Sequence, residues 1–261
     1  MRTLKEIALD APKQTMLEPH VAHYCEVYDQ FFEAIRQDKI RFLLIGIGQG
    51  GCLQMWRDYF PNAEIFAMDI RPECKEFEAE GIEVHIGDQG DADFVNGFLQ
   101  ETGGKFDIII DDGGHQMYQQ INSFLLLWNS MKPEGVYVIE DTHTSYWPHF
   151  GGSIHGPNMR VQTELGGFQL PQDQNYPVTT IDLVKALIDN LHAIHTTRAT
   201  MWSADYTDYF ALTESEDPYA NAPVVEPVDG INDSLESMHF YDSLVVMVRS
   251  GETGEIRDIN R

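Results

Sequence analysis

The stretch "FDIIIDDGGHQMYQQ", Phe106 to Gln120, decides the fold. An apolar run through Ile108, Ile109 and Ile110 ends in two adjacent aspartates, two glycines and a histidine, and a polar, helix-compatible run follows. A buried strand that stops at a glycine turn and continues as a helix is the repeating unit of a parallel sheet. A solvated turn has no need of such a cluster of polar groups.

The same rhythm runs outward on both sides. "RFLLIGIGQGG" reads as strand, tight turn and helix start, and "CEVYDQFFEAIRQ" (Cys25–Gln37) before it as an amphipathic helix with Val27, Phe31 and Ile35 on one face. "AEIFAMDI" is a strand ending in Asp69, "PECKEFEAEG" a short helix closed by Gly81, and "IEVHIGD" a strand ending in Asp88. "DADFVNGFLQETGG" and "QMYQQINSFLLLWNSM" read as helices, and "GVYVIED" as a fifth strand. Strands alternating with helices predict an α/β, doubly wound, mostly parallel sheet whose ligands sit at the carboxyl ends of the strands. "LESMHFYDSLVVMVRSG" adds two strands meeting near Tyr241–Asp242, an antiparallel C-terminal hairpin. "TTIDLVKALIDNLHAI" predicts one more helix, and the irregular, acidic, aromatic segment from about 195 to 233 predicts no regular element.

With 261 residues the chain suits one sizeable domain. Residues 1–39 are expected to form an N-terminal helical cap, and residues 142–233 the loops, helix and insertion on the substrate side. No run approaches the roughly 18 consecutive apolar residues of a membrane span, and the first residues lack the apolar centre of a secretory leader. Three cysteines without CxxC spacing suggest neither a disulfide framework nor a thiolate metal site. A cytoplasmic protein that spans no membrane is the expectation, with a homo-oligomer left open. The net charge of −25 excludes a nucleic-acid backbone as partner and favours a small neutral or cationic substrate.

"GIGQGG" (Gly46–Gly51) is a glycine loop between strand and helix where backbone approaches a ligand and no Cβ intrudes. It does not give GxGxxG. Asp69, about 20 residues on, can accept both hydroxyls of a ribose, and Asp88 with Gln89 can meet an adenine amino group. These acids favour a nucleoside-bearing cofactor, either S-adenosylmethionine or NAD. Strand four ends in Asp111–Asp112 and strand five in Glu140–Asp141, so four carboxylates share one sheet edge. Such a concentration calls for a cation, and oxygen ligands without cysteine suit Mg²⁺, Mn²⁺ or Ca²⁺. His115, turned in by the two glycines, is suited to take a proton near neutral pH.

On "GIGQGGCLQMWRDYFPNAEIFAMDI" (Gly46–Ile70), "IIIDDGGHQMYQQINSF" (Ile108–Phe124), "GVYVIEDTHTSYWPHFGG" (Gly135–Gly152) and "HFYDSLVVMVRSG" (His239–Gly251), the chain resembles the metal-dependent, S-adenosylmethionine-dependent O-methyltransferases of macrolide deoxysugars. The interval from Asp112 to Glu140 also resembles the strand-four to strand-five spacing of catechol-type methyltransferases. The resemblance implies a class I methyltransferase fold with a seven-stranded sheet. It implies Asp112, Glu140 and Asp141 as Mg²⁺ (or Mn²⁺) ligands, and His115 as the base that deprotonates a sugar or polyketide hydroxyl. The resemblance gives Gly46, Gly48, Asp69 and Asp88 to the cofactor, where the reading of the strand ends adds Gln89 and Asp111. The aromatic loop Tyr146–Trp147 with Phe150 is placed either to stack on the acceptor or to cover the sheet, and His23 and Tyr24 match the family more loosely. The residues from about 155 to 233 match nothing in the family, and relatives named as cephalosporin hydroxylases share the strand-end pattern. A cofactor-fold binding protein without turnover and an NAD-dependent oxidoreductase are the alternatives.

Overall fold

The computed structural model describes residues 1–11, 23–152, 179–193, 231 and 234–251. Its centre is a seven-stranded sheet. In chain order the strands are β1 (Arg41–Ile45), β2 (Glu64–Asp69), β3 (Ile82–Ile86), β4 (Phe106–Asp111), β5 (Met131–Ile139), β6 (Leu235–Tyr241) and β7 (Leu244–Arg249). Across the sheet they run β3-β2-β1-β4-β5-β7-β6. The first five are parallel, and β7 enters antiparallel between β5 and β6. The chain reverses from β2–β3 to β4 on either side of β1, which leaves a crevice at the carboxyl ends of β1 and β4.

Among the described residues six α-helices cover the two faces: α1 (Leu4–Asp10), α2 (Tyr24–Phe32), α3 (Gly51–Tyr59), α4 (Ala92–Thr102), α5 (Met117–Leu127) and α6 (Thr180–Ala193). Successive side chains of a strand point to opposite faces, so each parallel strand feeds two cores. Phe42, Leu44, Ile108, Ile110, Val136 and Val138 pack with α1, α2 and α3. Leu43, Ile45, Ile109, Tyr137 and Ile139 pack with α4, α5 and α6. Burial on both faces explains why these strands read as continuous apolar runs. Local signals mark the helix ends: Asp91 caps α4 by accepting from the Asp93 and Phe94 amides, and Gly103 ends it in left-handed backbone.

The expected doubly wound sheet with an antiparallel hairpin is the observed one. Three details differ. "PECKEFEAEG" forms a 3-10 turn over Pro72–Phe77 rather than an α-helix, because Pro72 and five charged residues leave it too little apolar surface to pack a full helix. β5 starts at Met131, earlier than expected, with Glu134 taking a positive φ before the apolar run. α1 falls within the expected helical cap of residues 1–39 but was not assigned there as a separate element, although Thr3 and Glu6 form a capping box around it. The expected irregular segment at 195–233 and most of the substrate-side loops lie outside the described residues. Among the described residues no helix is long and apolar enough to cross a membrane.

Candidate active site

The strand ladder continues one residue past each strand: the Asp112 amide donates to Ile45 O, and the Glu140 amide to Asp111 O, each at 2.9 Å. That register puts Asp112 and Glu140 on the same edge. Above them opens a cavity of about 560 Å³, lined by the loop Ile45–Gln49, Asp69 and Arg71, and by Asp112, His115, Glu140 and Asp141. Gly46 makes the junction possible. At φ +92°, a Cβ there would lie 1.9 Å from Asp112 O, so only glycine lets β1 turn beneath the acid.

Two groups of side chains face this cavity. Asp69 organises the first. Its Oδ2 accepts from the Ile47 and Gly48 amides at 2.9 and 3.1 Å, and its Oδ1 from the Arg71 amide and Nε at 2.9 and 3.2 Å. Arg71 also donates through Nη2 to Gly48 O at 2.6 Å. Burial pushes the Asp69 carboxyl up, but Arg71 and the loop amides outweigh it and hold the acid below its ordinary range. The carboxylate is therefore charged and fixed against the glycine loop.

The second group is acidic. Asp112, His115 and Asp141 each offer a ligand atom within 4.8 Å of the others. His115 Nε2 is 3.9 Å from Asp112 Oδ1 and 3.5 Å from Asp141 Oδ2, while its buried Nδ1 has no hydrogen-bond partner. Glu140 lines the same cavity from below, with Oε1 accepting from Tyr28 Oη at 2.5 Å. Burial, then repulsion from Asp141 and Asp111, pushes the Asp112 carboxyl well up. Burial and Asp112 do the same to Glu140, against the opposing Tyr28 hydrogen bond. Carboxylates this crowded favour either protons or a cation. The donor set, all oxygen apart from one imidazole, fits a hard divalent ion.

Two residues expected at the cofactor stand elsewhere. Asp111 is fully buried under the loop, accepting from Gln89 Nε2 at 2.8 Å and Ser123 Oγ at 2.6 Å. Asp88 turns toward α5, accepting from Gln119 Nε2 at 2.8 Å and Tyr118 Oη at 2.9 Å. Gln89 does line the cavity, but its amide is engaged: besides Asp111 it reaches Ser123 Oγ, and its Oε1 accepts the Gly114 amide at 3.0 Å. A Cβ on Gly113 would sit 1.8 Å from that Oε1, so the glycines after Asp112 let the turn close on Gln89. Asp111 and Gln89 thus shape the DDGGH turn, accepting the Gly113 and Gly114 amides.

Tyr146 and Trp147 lie outside the cavity wall, 43% and 50% exposed. The Trp147 ring packs edge-on to His143 at 4.6 Å and leans on Phe150 at 5.9 Å, and Phe150 reaches the His115 ring at 6.3 Å. They form an exposed aromatic ledge next to His115. Three contributors escaped the sequence reading: Arg71, Tyr28, and His23 in the role it takes. His23 Nε2 contacts Asp242 O at 2.8 Å, and so ties α2 to the hairpin turn rather than facing the cavity. The one available signal was the spacing of Tyr24 and Tyr28, one turn apart on α2.

No protein-family model matches the chain. It is 36% identical over 185 residues to mycinamicin VI 2''-O-methyltransferase of Micromonospora griseorubida, a match covering 64% of this chain and 45% of that one. It is 37% identical over 174 residues to demethylmacrocin O-methyltransferase of Streptomyces fradiae, covering 63% and 38%. The chain thus spans less than half the length of these curated relatives. Among solved structures, the MycE methyltransferase from the mycinamycin biosynthetic pathway, in complex with Mg and SAH, superposes with a TM-score of 0.69 at 27% identity, over 99% of this chain and 57% of that one. A second MycE complex, with Mg, SAH and mycinamycin VI, gives 0.66 at 26%, over 98% and 57%. The fold is the class I methyltransferase fold, and the homologues of this chain are O-methyltransferases of glycosylated natural products.

Proposed function

We propose that this chain carries the catalytic domain of a divalent-metal-dependent, S-adenosylmethionine-dependent O-methyltransferase acting on a hydroxyl of a sugar or polyketide-type natural product. The observation that carries the reading is the meeting, in one cavity, of a loop held by Asp69 with a cluster of Asp112, Glu140, Asp141 and His115. The relatives support neither NAD chemistry nor a binding protein without turnover. Cys25, Cys52 and Cys74 stand as thiols rather than disulfides, which suits a reducing cytoplasm.

Asp69, Gly46 and Gly48 form the cofactor end. Gly48 leaves open space where a side chain would stand, and Asp69 offers a charged acceptor to ribose hydroxyls. The cofactor held there would supply an electrophilic methyl group to the acceptor oxygen, leaving as S-adenosylhomocysteine. At the other end Asp112, Glu140 and Asp141 would hold the ion. A divalent ion held there would offset their charge and supply Lewis acidity to the acceptor hydroxyl. His115 takes the hydroxyl proton on Nε2. Hard divalent ions prefer oxygen to imidazole, which leaves this nitrogen to act as base, and Asp141 at 3.5 Å stabilises the imidazolium that forms. Tyr146, Trp147 and Phe150 give the acceptor an apolar face on which a sugar ring stacks.

The test is calorimetric titration with S-adenosylmethionine, followed by incubation with a panel of glycosylated macrolides lacking one O-methyl group. S-adenosylhomocysteine and a methylated product should form with Mg²⁺ and not in excess EDTA. Binding of NAD in place of S-adenosylmethionine, or turnover undiminished by EDTA, would overturn the reading.

A further inference from the structure

α2 presents two tyrosines, one helical turn apart, to the two consecutive acids that follow β5. Tyr28 Oη donates to Glu140 Oε1 at 2.5 Å, and Tyr24 Oη lies 3.1 Å from Asp141 Oδ1 and 3.0 Å from Ser243 O. Both rings are fully buried. Packing alone does not require the hydroxyls. The Tyr28 ring stacks on Phe32 at 5.6 Å and meets Trp56 edge-on at 5.1 Å, contacts that phenylalanine would also make. A buried hydroxyl is unfavourable unless it is hydrogen-bonded, and the bond that satisfies Tyr28 goes to Glu140.

Asp141 needs holding for a further reason. It takes left-handed backbone at φ 53°, a conformation that non-glycine residues keep only when their surroundings impose it. Here the hairpin turn and α2 supply that constraint together: the Thr142 amide donates to Ser243 O at 3.0 Å, the one Tyr24 hydroxyl proton is shared between Asp141 Oδ1 and the same carbonyl, and His23 reaches Asp242 O. Helix, turn and acid form one closed hydrogen-bonded ring.

We infer that Tyr24 and Tyr28 are positioning residues that set the orientation of Asp141 and Glu140 for a divalent ion, so that α2 forms the outer shell of the site. The inference rests on the metal reading above. Groups that hydrogen-bond metal ligands fix their orientation, and removing one typically weakens metal binding by about 10–100-fold. The hydroxyl partners of the two tyrosines are Asp141, Ser243 and Glu140, not the cofactor loop, so the hydroxyls should matter to the ion and little to the cofactor.

The experiment measures Mn²⁺ affinity by electron paramagnetic resonance, and S-adenosylhomocysteine affinity by calorimetry, in wild type, D112N, Y28F and Y24F, with folding followed by circular dichroism. Wild type should bind one Mn²⁺ and D112N should lose it. Y28F should bind Mn²⁺ at least roughly tenfold more weakly, with S-adenosylhomocysteine affinity within about twofold of wild type. Y24F should weaken Mn²⁺ in the same direction and serves as the deciding variant if Y28F does not fold. Mn²⁺ bound equally well by wild type and both tyrosine variants, but lost in D112N, would overturn the inference and leave the metal site standing. No Mn²⁺ bound by wild type would overturn the metal reading itself, and the inference with it.

Discussion

His115 Nε2 lies 3.5 Å from Asp141 Oδ2, although the two residues follow different strands, and both hold left-handed backbone, at φ 55° and 53°. Such conformations gather at functional sites because packing must impose them. In this chain two of them aim an imidazole and a carboxylate at the same space.

If His115 is the base, His115→Ala should lower kcat by about 10²–10⁴ while leaving S-adenosylhomocysteine and Mn²⁺ affinity close to wild type. Steady-state rates on an acceptor that the wild type methylates, paired with calorimetry, check this. A large loss of Mn²⁺ affinity would instead make His115 a ligand.

The crowded acids make stability depend on pH with a definite sign. Asp112 and Glu140 keep their protons to higher pH in the folded chain than in the unfolded one. Above the ordinary carboxyl range, near pH 4, the native state therefore binds more protons, and stability falls with rising pH until the folded groups have ionised too, by about 1.4 kcal/mol per pH unit for each extra proton held. Melting of the EDTA-treated protein should drop between pH 5 and 8, and Mg²⁺ should raise Tm at pH 8 more than at pH 5. Identical profiles with and without Mg²⁺ would count against a metal site.

Asp69→Ala removes the acceptor for the Ile47 and Gly48 amides and for Arg71 as well as the proposed ribose contact. Hydrogen bonds to a charged group contribute about 1.5–3 kcal/mol each, so S-adenosylmethionine affinity should fall at least about tenfold. Calorimetry reads the result, and unchanged affinity would place the ribose elsewhere.

Gly46→Ala pushes a Cβ into the Asp112 carbonyl at a positive φ. Overpacking of this kind costs about 1–3 kcal/mol, and the displaced turn carries Asp112 with it. Denaturant melts should show the loss, and Mn²⁺ affinity should fall in parallel.

Trp147→Ala should raise KM for the acceptor severalfold with kcat little changed, because the half-exposed ring belongs to the ledge and not to the cavity wall. Stability should stay within about 0.5 kcal/mol, as for most surface substitutions. An unaltered KM would remove the ledge from acceptor binding.

Much of this was legible in the order of residues. The apolar runs ending at Ile45, Asp69, Asp111 and Ile139 announce a parallel sheet, because strands buried on both faces cannot carry polar residues between their ends. The same logic places Asp112, Glu140 and Asp141 on one edge, since parallel strands bring all their carboxyl ends together. Tertiary structure alone separated the acids from one another. Asp111 and Asp112 are neighbours in sequence, but the pleat sends one under the loop to Gln89 and Ser123 and the other into the cavity. Asp88 and Gln89, one residue apart, likewise turn to different partners. The contacts of Tyr28 with Glu140 and of Tyr24 with the hairpin turn join residues more than a hundred positions apart. A periodic pattern shows which face of a helix is buried, but which group meets it there depends on how the whole sheet brings distant segments together.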